Sequence, residues 1–286
     1  MLYNSGSEWR EAKHKRVSLV GMSGVGKTYL ANALRKSGNW FHFSVDYRIG
    51  TKYLGEFIVD NFKEEAMKNQ VLKKHFLDDS IYLASNISFH NLAPLSTYLG
   101  KPGKITLGGI PFREYLRRQR QHFHAEVSAS NDIKIFSKKS HDLYGYDHFI
   151  ADTSGSICEI VDPTNPSDTV LKTISKYTLP VWIKGSQRQT AELYKRFLQA
   201  PKPMYYKEKF LKKKWSEYLK ENNQLPSQVD PDDFAQYGFK ALIKHRLPLY
   251  KEIANQWGVI IDASSLSNIK NTAEFNKLIE IAIDNK

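Results

Sequence analysis

Eight residues constrain this chain more than any other part of it. Gly21-Met22-Ser23-Gly24-Val25-Gly26-Lys27-Thr28 sits between the apolar run Val17–Val20 and the helix-patterned stretch Thr28–Lys36. Glycine costs a helix or strand roughly 0.5–1 kcal/mol relative to alanine, so three of them here mark a backbone that must turn sharply or approach a neighbour closely. The spacing G-x-x-x-x-G-K-T, opening a helix directly after a strand, is that of a loop whose backbone amides surround a phosphate. In this reading Gly21 opens the turn and the N–H groups of Ser23, Gly24, Val25, Gly26 and Lys27 face the β-phosphate of a nucleoside triphosphate. Lys27 reaches the β and γ oxygens, Thr28 ligates Mg²⁺, and Tyr29 completes the nucleotide-binding set. The pattern does not distinguish ATP from GTP.

The rest of the chain is patterned to match. Apolar runs of strand length recur at Val17–Val20, Trp40–Val45, Ile81–Ala84, His148–Ala151 and Pro180–Ile183. Helical periodicity follows several of them, at Thr28–Lys36, Phe112–Val127, Arg188–Leu198 and Ala241–Gln256, with a further helix-like segment at Glu56–Phe76. Short apolar strands alternating with amphipathic helices predict an α/β fold, a three-layer α/β/α sandwich around a mostly parallel sheet. At 286 residues the chain is expected to form one domain, 1–286. Two segments, about 50–109 and about 207–240, read as helical insertions, the first at a substrate-side or lid margin and the second strongly charged.

Lys and Arg number 42 against 30 Asp and Glu, a formal charge of +12 that suits a nucleotide and an anionic acceptor as well as it suits a polyanion. No apolar run is long enough to span a bilayer and the N-terminal residues lack a secretion-signal pattern, so a cytoplasmic protein with no membrane partner is expected. The one cysteine, Cys158, reads as a small apolar filler. Oligomeric state is not legible.

A phosphate cradle does not name the group that receives the phosphoryl. Asp46 follows the run WFHFSV, nineteen residues after Lys27, where an open parallel sheet places ligands at its carboxyl edge; it is the candidate base. Asp152 ends the run HFIAD and is the second candidate metal ligand beside Thr28, followed by small residues, Thr153 to Ser156, that let a ligand approach the backbone. Arg113 opens a predicted helix in FREYLRRQRQ. Arg196 and Lys202 follow the strand PVWIK where a lid would close over ATP, and Arg246 lies in RLPLYKEIANQWGVIID.

Together these segments resemble shikimate kinase and its relatives among the small P-loop kinases. KRVSLVGMSGVGKTYLANAL is similar to that family's first strand, cradle and helix, and Asp46 stands at the place of its substrate-binding aspartate, with Arg48 in the same VDYR segment. FREYLRRQ resembles the segment that grips the acceptor carboxylate, which maps to Arg113. IADTSGSI resembles the glycine-rich stretch after the third strand, which carries Ser154 and Gly155 over as substrate contacts. LYKRFLQAPKPM looks like the lid, with Lys202 where an ATP-contacting arginine is usual, and the closing helix and strand bring Arg246 to a second carboxylate-binding position. The resemblance implies a kinase that transfers the γ-phosphoryl of ATP, with Mg²⁺, to a hydroxyl of a small, anionic metabolite. Ser44 replaces the family's metal-linked aspartate, which moves metal handling to Asp152, and Thr153-Ser154-Gly155 replaces a glycine triplet. The whole chain also looks like bacterial proteins described only as predicted ATPases.

Two other readings stay open. In one the chain is a nucleotide-dependent regulatory ATPase whose insertions bind a protein partner. In the other, less favoured, it phosphorylates a nucleic-acid 5′-hydroxyl, held by lysines at 207–214 interleaved with Tyr205, Tyr206, Phe210 and Trp215.

Overall fold

Four of the five apolar runs form strands in the computed structural model, which describes residues 1–269 and 271–286. They are β1 (Arg16–Val20), β2 (Trp40–Ser44), β3 (His148–Asp152) and β4 (Leu179–Lys184), joined by β5 (Val259–Asp262) in the closing segment. All neighbours pair in parallel, in the order β2-β3-β1-β4-β5. The helices in chain order are α1 (Gly6–Glu11), α2 (Lys27–Lys36), α3 (Val45–Arg48), α4 (Gly55–Met67), α5 (Gln70–Leu77), α6 (Ala93–Leu99) and α7 (Phe112–Asn131). After these come α8 (Ile133–Asp142), α9 (Ile157–Ile160), α10 (Thr169–Tyr177), α11 (Gln187–Gln199), α12 (Glu208–Glu221), α13 (Pro231–Trp257) and α14 (Thr272–Asp284). The fold is α/β with an all-parallel five-stranded sheet. Among the described residues no helix is long and apolar enough to cross a membrane.

The chain divides into two compact units. The first comprises residues 1–45, 126–201 and 236–286 and contains the sheet. On one face of the sheet, Val17 and Leu19 of β1, Ile150 of β3 and Val181 and Ile183 of β4 pack with Leu30 and Leu34 of α2, Trp9 of α1 and Phe275 and Ile279 of α14. Helices α8 and α10 pack on each other and against β2, β3 and β4. The inner strands are buried along most of their length because a parallel sheet flanked by helices has little wet surface, whereas edge strand β5 leaves Ile260 and Asp262 exposed. The chain leaves β1 for β2, returns to β3, and then crosses to β4 on the other side of β1. The turn after β1, which is the glycine-rich loop, thus lies where successive connections part in opposite directions.

The second unit comprises residues 46–125 and 202–235. Its core is aromatic: Trp215 of α12 stacks on Phe112 at 4.6 Å and meets Phe234 edge-on at 4.8 Å. The Tyr115 hydroxyl donates to the Met204 carbonyl at 2.8 Å, and Gln119 bonds to that carbonyl and to the amide of Tyr206.

Local chemistry explains where the elements depart from expectation. The segment Glu56–Phe76 is two helices because the Asn69 side chain accepts the amides of Val71 and Leu72 and starts α5 afresh. The last long helix begins ten residues before Ala241, at Pro231, where a missing N–H is harmless and the Asp230 carboxylate accepts the Asp232 amide at 2.8 Å. Ile81–Ala84 is not a strand: Tyr82 is 87% exposed and no sheet edge pairs with the run.

Gly258, between α13 and β5, lies so close to β4 that a Cβ there would sit 2.1 Å from the Pro180 carbonyl oxygen. Gly258→Ala is expected to destabilise the protein by ~1–3 kcal/mol as β5 is pushed from β4. Urea denaturation measures this, and an unchanged midpoint would mean that the turn relaxes freely.

Candidate functional site

The glycine loop takes the conformation its composition demands. Gly21, Gly24 and Gly26 have φ of 143°, 86° and 103°, a region that side chains disfavour. Space is short as well, since a Cβ at Gly21 would lie 3.0 Å from the Ile183 carbonyl and one at Gly24 2.8 Å from a methyl of Leu193. Gly26 is the N-cap of α2 and has no side chain to satisfy the first-turn amides, so that helix end is suited to an anion. Lys27 is 6% exposed, and its ammonium donates to the carbonyls of Gly21 at 2.7 Å and Met22 at 3.1 Å, which holds it along the inside of the loop. Ser23, Gly24, Thr28 and Tyr29 are exposed and Val25 is half-buried.

Asp152 is delivered to this loop by sheet register. It pairs with Leu19 of β1 on one side and Ser44 of β2 on the other, at the carboxyl ends of all three strands. The Thr28 hydroxyl donates to its Oδ2 at 2.5 Å, so the two residues expected to handle the metal are in direct contact. His42 Nε2 lies 3.9 Å from the same oxygen. Burial, with a smaller effect from Arg35, pushes the His42 pKa down to about 4, so the ring is neutral at neutral pH and leaves the site's negative charge intact. Among the described residues no group of three or more His, Cys, Asp or Glu side chains is arranged to hold a metal ion. One hydroxyl and one carboxylate suit Mg²⁺, which keeps waters and phosphate oxygens as its other ligands.

Beyond Asp152 the chain turns back under the loop. Thr153 is tied to the Leu19 carbonyl through its amide and hydroxyl. Gly155 presses on the cradle: a Cβ there would be 2.2 Å from Ser23 Oγ and 2.8 Å from the Ser23 amide nitrogen. Its carbonyl accepts from Arg246 Nη1 at 2.8 Å and from the Tyr250 hydroxyl at 2.9 Å. Arg246 Nε in turn donates to Glu159 Oε1 at 3.0 Å, and His245 Nε2 lies 3.4 Å from Glu159 Oε2. Burial alone would raise the Glu159 pKa, but His245 and Arg246 outweigh it and hold the carboxyl below its ordinary value. Ser154 shares a 2.8 Å hydrogen bond with Ser156, which donates to the buried carboxylate of Glu126 at 2.7 Å. Burial pushes the Cys158 thiol up to about 12, so it is an inert filler, as its surroundings in the sequence imply.

On the other flank, α11 closes over the loop. A pocket of about 200 Å³ lies between Met22, Gly24 and Val25 of the loop, Trp182 and Ile183 of β4, and Leu193 and Arg196 of α11. Arg196 Nη2 is 4.0 Å from the position a Gly24 Cβ would take. The first unit thus brings together the glycine loop, Asp152, Ser154, Gly155 and Arg196. It places Arg246, 1% exposed, beneath them on Gly155, where two of its nitrogens are already committed to protein acceptors.

Asp46, Arg48, Arg113 and Lys202 belong to the second unit. Asp46 is half-buried in the first turn of α3, and the Arg48 guanidinium lies 5.9 Å from the Tyr53 ring. Arg113 stands exposed in the first turn of α7 and Lys202 is also exposed. Neighbouring arginines are spoken for: Arg117 and Arg118 bind Glu114, and Arg120 makes a two-pronged contact with Glu208 at 2.7 Å. The aromatics proposed to stack on a nucleic acid do not offer their faces, since Tyr205, Tyr206 and Trp215 are buried. Their lysines are largely balanced, Lys212 by Glu208 and Lys213 and Lys214 by Glu217.

No family model matches the chain, and no curated protein matches it. Sequence reasoning passed over Glu126, Glu159 and Tyr250. Glu159 carried a signal, a carboxylate inside the apolar run SICEIV, because a buried charge demands a partner.

Gly155→Ala is expected to dislodge Ser23 and weaken nucleotide-analogue binding at least about tenfold while the circular dichroism spectrum is kept; a ~1.4 kcal/mol disturbance of the cradle suffices for that. Arg246→Ala strands the Glu159 charge and is expected to cost ~3–5 kcal/mol in urea denaturation. Because the Glu159 pKa is depressed from 4.5, its stabilisation is in place above that pH and is lost as the pH falls below it. A Glu159→Gln variant, compared with wild type from pH 7 to pH 3, should lack this acid limb.

Proposed function

We propose that this chain is an ATP-dependent phosphotransferase of the P-loop kinase class, shikimate kinase-like, which transfers the γ-phosphoryl group to a hydroxyl of a small anionic metabolite. The observation that carries the proposal is the contact of Thr28 with Asp152 at the mouth of the glycine loop, with the Lys27 ammonium held along its inner wall. Phosphoryl transfer asks for little beyond positioning and charge neutralisation. The exposed amides at the start of α2 bind the phosphate chain, and Lys27 exchanges its carbonyl partners for β and γ oxygens. Thr28 and Asp152 would hold Mg²⁺, which neutralises phosphate charge. Arg196 lies on the same loop and stabilises the transferred group, and the sequence assigns Lys202 to the same task.

For the acceptor side the sequence assigns Asp46, two residues past the end of β2, as the base, and Arg48 and Arg113 to the anionic group. Arg113 favours this assignment: a guanidinium in the first turn of a helix opposes the helix dipole, and among the described residues its side chain has no acidic partner to compensate. Arg246 changes role. It does not grip the acceptor but positions Gly155, and through it Ser23, from below. We place the enzyme in the cytoplasm, in keeping with its lone, buried thiol.

The test is thermal shift with a nonhydrolysable ATP analogue, with and without Mg²⁺, followed by a panel of hydroxy acids and nucleosides. A ligand at 100 times its Kd adds ~2.7 kcal/mol to apparent stability. Thr28→Ala and Asp152→Asn should remove the Mg²⁺-dependent part of the shift, and Lys27→Ala most of the whole. Asp46→Ala should abolish transfer and spare analogue binding; equal loss of both would remove Asp46 from the role of base.

A further inference from the structure

A second recess in the first unit is of a different kind. It is a groove of about 570 Å³ between α11 and α13, floored by the end of β4. Along α13 its wall is the stripe Lys240, Ile243, Lys244, Leu247, Pro248 and Lys251, a single helix face. Along α11 it is Thr190, Ala191 and Tyr194, and Trp182 and Lys184 close the end. The floor is apolar and the rim is four exposed lysines, 184, 240, 244 and 251.

None of those lysines has an ion pair or a side-chain hydrogen bond among the described residues, whereas Lys212, Lys213 and Lys214 of α12 are matched to glutamates on the same helix. Lys240 and Lys244, one turn apart, repel each other. Pro248 adds an acceptor: it has no amide, so the Lys244 carbonyl, four residues back in the same stripe, receives no helical hydrogen bond. From Lys240 to Lys251 the stripe runs ~16 Å, about three helical turns.

We propose that this groove docks an amphipathic helix of a partner protein, with apolar anchors on one face and acidic residues on both flanks. Helix-in-groove recognition needs an apolar trough of this length with anchors at one-turn spacing, and the lysine rim selects acidic flanks. A second copy of this chain is the less suitable occupant, because each copy carries +12. Trp182, Thr190 and Leu247 border both the groove and the pocket beside the glycine loop, and the opposite face of α11 bears Leu193 and Arg196. A docked helix therefore rests on the wall of the nucleotide pocket. Docking itself does not depend on the kinase reading; an effect of docking on nucleotide affinity does.

The probe is a fluorescein-labelled synthetic 14-residue helix with Leu and Phe at i, i+3, i+4, i+7 and i+11 and Glu elsewhere. It is compared by anisotropy with a scrambled peptide of the same composition and with a Lys-for-Glu version. The full-length protein should bind the acidic helix in a salt-sensitive manner and the other two at least about tenfold more weakly. The K240E/K244E/K251E variant should also bind it at least about tenfold more weakly, given three rim charges reversed. Ala191→Trp, which fills the trough without changing its charge, should do the same. Equal binding of the scrambled peptide, or unchanged binding to either variant, overturns the proposal. So does saturable binding of dodecyl phosphate without peptide binding, which assigns the groove to a small amphiphile. Self-association that the triple variant abolishes assigns it to a second copy and overturns it equally. Peptide docking in a protein that binds no ATP analogue upholds the groove and fails the nucleotide reading alone.

Discussion

A glycine carbonyl and the missing side chain behind it organise the candidate site. Gly155 has to be glycine because its Cα rests on Ser23, with no room for a methyl group, and its carbonyl has to be held because a bend at the end of β3 does not hold itself. Arg246 and Tyr250 of α13 supply that restraint. A fully buried guanidinium is costly on its own and tolerable when paired and hydrogen-bonded, which is the part Glu159 plays. The shape of the glycine loop is in this way fixed from two sides, by β4 and α11 above and by a buried ion pair on α9 and α13 below. The same charge pair thus stabilises the core and fixes the backbone on which Ser23 rests.

Local signals were readable and pairings across the chain were not. The glycine loop and the four apolar strands are written within a few residues, where local conformational cost decides. Asp152 ends an apolar strand and Thr28 closes the glycine motif, so both were singled out locally, but their contact spans 124 positions and no local pattern shows it. Arg246 was legible as a special arginine and illegible in its role. Its partner is 87 residues away, and periodicity says which residues are buried, not which charges meet. Ile81–Ala84 failed for the complementary reason: β-propensity describes fitness for a sheet position, and none pairs with it. Asn69 shows that a single cap outweighs a continuous helical pattern.

Charge distribution bears most on what kind of molecule this is. A formal +12 invites a polyanion, yet the basic segments that suggest one are largely matched at close range, Arg117 and Arg118 by Glu114, Arg120 and Lys212 by Glu208, Lys213 and Lys214 by Glu217. Positive charge left unmatched in the first unit includes the lysine rim of the α11–α13 groove. A nucleic acid is gripped by a stripe of cations with open aromatic faces, whereas here Tyr205, Tyr206 and Trp215 of the basic segment are buried, Phe210 is half-buried, and the unmatched lysines frame an apolar trough. That combination favours a structured acidic ligand over a flexible polyanion. Helix α11 joins the two recesses, since one of its faces covers the glycine loop and the other forms the groove wall.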